Sequence, residues 1–111
     1  MALSNAGGRQ LDHATVPLEL LDPVLQAVGG RTEVILDGGI RRGSDIVKAM
    51  CLGASACMAG RAYLYGLGAA GERGDDHVLG LLRADMERAM ALVGATTIDD
   101  LSPGLVRWRS G

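Results

Sequence analysis

The chain has 111 residues and a formal charge of −2, and 48% of its residues are apolar, a balance that fits a water-facing globular fold with one core. No basic stripe or aromatic-and-arginine run points to nucleic acid, and two cysteines with two histidines give no structural zinc quartet. No apolar run approaches the length of a membrane span, and Met1 to Ser4 lack the charged lead and apolar stretch of a secretory signal, so a cytoplasmic location is expected.

Along the chain, short strand signals alternate with helix signals across glycine turns, which is how a parallel βα array reads. Leu3 to Asn5 suits the tail of a strand, and Ala6 to Thr15 a polar loop with glycines. Asp22-Pro23 reads as an N-cap followed by the first helical position, and the helix should run to Val28 and stop at Gly29-Gly30. Glu33 to Leu36 predicts a buried strand that ends in the turn Asp37-Gly38-Gly39.

Ser44 should cap the next helix, whose apolar stripe is Ile46, Val47, Met50 and Cys51, with Gly53 as its stop. Ser55 to Ala59 repeats the strand pattern and ends at Gly60-Arg61, and a helix should follow over about 62–67. The longest helix is expected over about 76–93, with Val78, Leu79, Leu82, Met86, Ala89, Met90 and Val93 on its apolar side and an Arg83–Glu87 pair on its wet side. Thr97 is a candidate cap for one last turn before Pro103, and the tail from Val106 to Gly111 carries no clear signal. Cys51 and Cys57 sit in apolar surroundings and read as small buried thiols in a reducing compartment. No linker divides residues 1–111.

Two turns carry chemical content: Asp37-Gly38-Gly39-Ile40-Arg41-Arg42-Gly43 and Gly60-Arg61, each directly after a predicted strand. Glycine lets a backbone approach a ligand, amides at a helix start attract an anion, and an arginine beside them adds a planar charged fork. One such turn alone reads equally as an ordinary connector with solvated arginines. Two in succession favour a phosphate site, because the loops after strands seven and eight of a (β/α)8 barrel jointly form one. A dinucleotide fingerprint is absent, since no G-x-G-x-x-G opens a helix here. A complete barrel takes roughly 250 residues, so this chain has room for only part of one.

Ser4-Asn5-Ala6-Gly7-Gly8-Arg9-Gln10-Leu11-Asp12, the run Leu36 to Asp45 and Ala59-Gly60-Arg61 resemble, in order and separation, the late signatures of the FMN-dependent 2-hydroxy-acid dehydrogenases and oxidases. The resemblance covers essentially the whole chain and is greatest to the mandelate- and lactate-oxidising members. It implies an α/β fold, the C-terminal part of a (β/α)8 barrel with its last two to three βα units and C-terminal helices. It implies FMN as cofactor and a small 2-hydroxy acid as substrate, with Asp37, Gly39, Arg41, Gly60 and Arg61 at the flavin and Arg9 at the substrate carboxylate.

The departure from the family pattern is Ala6, which stands where the family has the histidine that takes the substrate proton. Alanine accepts no proton, and loss of a general base typically costs about 10²- to 10⁴-fold in rate. His13 is too loosely placed to be expected as a substitute, and His77 reads as a surface residue. Tyr63 and Tyr65 are expected as helix-face residues, not as replacements for the flavin-ring contacts of the absent strands. The two predicted strands would also have open edges in isolation, which calls for a second chain supplying the missing strands. Three readings therefore stand: part of an FMN-dependent oxidoreductase inactive alone, a noncatalytic flavin or phosphate module, or a nonfunctional fragment.

Overall fold

The computed structural model describes residues 1–109. Strand β1 (Ala2–Leu3) leads through a 3-10 turn (Ala6–Gly8) to helix α1 (Pro17–Val28), then β2 (Ile35–Asp37), α2 (Gly43–Cys51), β3 (Ala56–Met58) and the long α3 (Arg61–Leu92). Two more 3-10 turns follow, Ile98–Asp100 and Pro103–Leu105. The three strands form one parallel sheet in the order β1-β2-β3, with Leu3 opposite Leu36 and Leu36 opposite Cys57. The expected α/β array is present, and the sheet ends at β1 and β3 among the described residues.

Strand alternation sorts the sheet into two faces. Leu3, Leu36 and Cys57 lie on one face, where the core of Leu21, Val34, Leu36, Ile40, Ala49 and Ala54 gathers under α1 and α2. Ala2, Ile35, Asp37, Ala56 and Met58 lie on the other, and none of them is buried; Met58 keeps 49% of its surface exposed. In a closed barrel that second face would be the packed interior.

Helix α1 begins six residues earlier than its Asp22-Pro23 signal suggested, with Pro17 at its first position and Pro23 inside it. Proline inside a helix costs about 3 kcal/mol. Starting at Pro17 brings Leu18, Leu21, Val24, Leu25 and Val28 onto the core, with Leu21 fully buried, and each such side chain contributes about 1.5–3 kcal/mol when fully buried. Burial of that stripe outweighs the lost hydrogen bond. Asp22 is left on the exposed side, accepting from Gln26 Nε2 at 2.8 Å instead of capping. The C-terminal expectation holds: Gly29 is left-handed (φ 55°) and its amide reaches the Leu25 carbonyl.

Ser44 does not cap α2. The carboxylate of Asp45 accepts from the Arg41 and Arg42 amides, both at 3.0 Å, while the Ser44 amide donates to Asp85 Oδ2 on α3 at 3.2 Å. Helix α2 crosses α3 so closely that a Cβ at Gly43 would collide with the Met86 amide and stand 2.6 Å from the Leu82 carbonyl. The two expected final helices are arms of α3, broken where Ala70 (φ −152°) and Gly71 (φ 60°) leave helical geometry. On the second arm Leu82 is buried, but Leu79 is 56% exposed, and Val93 at the C-cap is 41% exposed. The Arg83–Glu87 pair forms at 3.1 Å on the exposed side. Thr97 stands at the N-cap of the turn 98–100, where the Asp100 carboxylate accepts from the Thr96 and Thr97 amides. The tail, which carried no clear sequence signal, is irregular from Val106 to Arg109, and its last two residues lie outside the described ones.

Candidate functional site

The three strands end on one side of the sheet, and the segments that leave them line a cavity of about 820 Å³. Its lining includes Ala6 and every residue that the family resemblance placed at the flavin or substrate, Arg9, Asp37, Gly39, Arg41, Gly60 and Arg61, while Arg42 and Gly43 of the first turn stay outside it. Three arginines face one aspartate there, so the cavity is built for an anion.

Gly38 and Gly39 take φ values of 111° and 77°, a region that L side chains rarely enter, and a Cβ at Gly38 would stand 3.4 Å from Pro17 Cγ. The backbone of this turn is thereby kept open toward the cavity. Gly60 is the N-cap of α3 and makes no side-chain cap bond, so the first turn of α3 presents its amides and positive dipole end to the same space. Arg61 reaches from there to the first loop: a Cβ at Gly7 would lie 3.2 Å from its Nη2.

The first loop is pinned by residues whose roles sequence reasoning did not assign. Ser4 Oγ donates to Asp37 Oδ2 at 2.6 Å and accepts the Ala6 amide at 3.0 Å. Asn5 Oδ1 accepts the Gly7 amide at 3.0 Å. These bonds hold Ala6 in a left-handed conformation (φ 52°), which costs a non-glycine residue about 1–2 kcal/mol. Position 6 keeps its special backbone although its side chain is only a methyl group. The signal for Ser4 was parallel register: with Leu3 opposite Leu36, the next pair is Ser4 and Asp37.

No imidazole lines the cavity. His13 is 93% exposed at its side chain and faces Asp12 at 3.4 Å, and His77 is exposed on α3. Tyr63 and Tyr65 are helix-face residues, as expected; Tyr65 is 76% exposed and also reaches the cavity lining. Both cysteines are free thiols, and burial pushes Cys57 up to about 11.

Parallel strands whose C-terminal ends open on an arginine-lined cavity, at loops beside a helix start, have the arrangement of an α/β barrel segment. Residues 1–108 match the FMN-dependent dehydrogenase family model. An L-lactate oxidase from Nostoc sp. is 48% identical over 101 residues, covering 91% of this chain and 28% of that protein. The (S)-mandelate dehydrogenase of Pseudomonas putida is 54% identical over 101 residues, 91% of this chain and 25% of that protein. A solved structure of a soluble mutant of the membrane-associated Pseudomonas putida enzyme superposes with a TM-score of 0.90 at 52% identity, over 96% of this chain and 30% of that one.

The chain belongs to the FMN-dependent dehydrogenase family and is part of a (β/α)8 barrel. It spans between a quarter and a third of the length of these relatives, 25% to 30%. Among the described residues, no helix is long and apolar enough to cross a membrane.

Proposed function

We propose that this chain is the C-terminal part of an FMN-dependent oxidoreductase that converts mandelate- or lactate-like 2-hydroxy acids to 2-oxo acids, and that it is inactive alone. The observation that carries this reading is the convergence of Ala6, Arg9, Asp37, Gly39, Arg41, Gly60 and Arg61 on one cavity at the strand ends. Residues 1–111 are then one partial barrel domain. A cytoplasmic setting belongs to the same reading and is supported by the two free thiols.

The cavity fits the phosphate end of FMN in charge, size and donor chemistry. Arg41, Arg61 and the amides of the Gly39 and Gly60 turns would hold the phosphate, with Asp37 available as an acceptor for a flavin hydroxyl. Bound FMN supplies the two-electron acceptor for oxidation of the hydroxy acid. Arg9 orients the substrate carboxylate through its guanidinium fork. Ala6 cannot take the hydroxyl proton, so the chain contributes binding and orientation while lacking the base. The open edges of β1 and β3 and the bare face of Ile35, Ala56 and Met58 call for a second chain or segment carrying the missing strands.

The test is co-expression with the part of the Pseudomonas putida (S)-mandelate dehydrogenase that this chain does not cover. A purified complex with flavin absorbance is expected; a complex without flavin would count against the reading. Ala6 also favours a second reading, a noncatalytic flavin or phosphate module. That reading expects the chain alone to gain thermal stability with FMN and to lose the gain on Arg61→Ala, and an unchanged melting curve would sink it. A chain that yields only aggregates, alone and with the added part, would leave the nonfunctional fragment.

A further inference from the structure

Helix α3 folds back on itself. In an unbroken helix Gly66 and Gly74 would stand about 12 Å apart along the axis. The break at Ala70 and Gly71 instead brings their backbones together. A Cβ on Gly74 would collide with the Gly66 carbonyl, and a Cβ on Gly66 would stand 2.6 Å from the Gly74 carbonyl oxygen and 2.8 Å from Val78 Cγ2. Both glycines of this crossing are buried, and within residues 61–70 Gly66 alone is buried. Gly68 and Gly80 lie on the same two arms, yet a Cβ on either would meet nothing within 4 Å. Contact therefore demands glycine at 66 and 74 and not at 68 or 80.

The first arm starts at Gly60 and Arg61, which both line the anion cavity. A short helix whose start faces a phosphate is a common barrel device, but the device does not say what fixes the helix in place. Here the arm's one buried point is the crossing, about 7.5 Å of helix beyond Arg61. A rigid arm carries any shift at that point to its Arg61 end. We infer that Gly66 and Gly74 are positioning residues: their backbone contact sets the angle of the first arm, and thereby places the Arg61 guanidinium and the amides of the α3 start for the phosphate of FMN. The inference rests on the proposed flavin reading and adds to it the contact that fixes phosphate affinity. A methyl group at either glycine must part the two backbones, and a misplacement of about 1 Å in a positioned group can cost about 10²-fold.

The experiment titrates the complex of the full chain and the part of the Pseudomonas putida (S)-mandelate dehydrogenase that this chain does not cover, using FMN and, lacking the phosphate, riboflavin. Gly74→Ala and Gly66→Ala should each weaken FMN by about tenfold or more and riboflavin by less than about threefold. Gly68→Ala and Gly80→Ala make the same change on the same arms without a collision, and should leave both affinities unchanged. In an Arg61→Ala background Gly74→Ala should cost FMN a much smaller factor, because the group it acts through is gone. Slow amide exchange at residues 35–37 shows that a variant keeps its sheet. Unchanged FMN affinity, equal losses for the two flavins, or a loss that persists in full without Arg61 overturns this inference and leaves the flavin reading standing. Loss of the protected sheet in both Gly66→Ala and Gly74→Ala assigns the crossing to folding and overturns it too. An unaltered complex that binds neither flavin removes the flavin reading and this inference with it.

Discussion

Ser4 Oγ donates to Asp37 Oδ2 at 2.6 Å, and this one bond ties the loop after β1 to the turn after β2. The same hydroxyl oxygen accepts the Ala6 amide, so position 6 and the Asp37 carboxylate, both lining the cavity, share a single anchor. Ser4→Ala removes both bonds and should cost about 1–3 kcal/mol, each typical intramolecular hydrogen bond being worth about 0.5–1.5 kcal/mol net, read as a lower urea midpoint. Faster exchange of the Ala6 and Gly7 amides should accompany the loss.

Arg61 closes the other side of the cavity, and its charge distinguishes a phosphate site from a merely open cleft. Arg61→Ala should weaken FMN binding by the completed barrel about 10- to 100-fold, the worth of one hydrogen bond to a charged group. Binding of riboflavin, which carries no phosphate, should change far less. Titration with both flavins checks this, and an equal loss for the two would remove the phosphate assignment.

Gly43 is a packing test independent of any ligand. Its missing side chain lets α2 lie against the α3 backbone at Leu82 and Met86. Gly43→Ala must push the two helices apart, at a cost of about 1–3 kcal/mol or more. Urea unfolding measures it, and an unchanged midpoint would mean that α2 and α3 do not cross as described.

Cys57 gives a pH dependence. Burial raises its thiol from 9.0 to about 11, so folding favours the protonated form. The sign follows from the raised value: its contribution to stability is complete below pH 9.0, and it is lost as pH rises through about 11. In a Cys51→Ala background, iodoacetamide should label the folded chain slowly at pH 9 and much faster after unfolding. Equal rates would contradict the burial of this thiol.

The order of elements and the membership of the anion cavity were legible because both depend on local signals. Glycines at 7–8, 29, 38–39, 53 and 60 punctuate the chain, and the cavity arginines Arg9, Arg41 and Arg61 each sit within two residues of one of them. Three features were not legible, each for a physical reason. Asp22-Pro23 looks the same at a helix start and on the wet side of a longer helix, and only tertiary burial of Leu21 decides between them. The apolar stripe of α3 is plain in sequence, but periodicity does not say which of its residues becomes buried, and Leu79 stays 56% exposed. The Ser4–Asp37 bond spans 33 residues and depends on strand register, which no local pattern contains.

Alanine at position 6 in an otherwise built site is the centre of the account, and Ala6→His tests it most directly. In the flavin-loaded complex with the missing barrel part, the rate of flavin reduction by mandelate or lactate should be very low for the unaltered chain. Restoring histidine should raise it about 10²- to 10⁴-fold, the usual worth of a general base. Reduction at the same rate with Ala6 and with histidine would show that proton removal does not depend on this position, and would contradict the account.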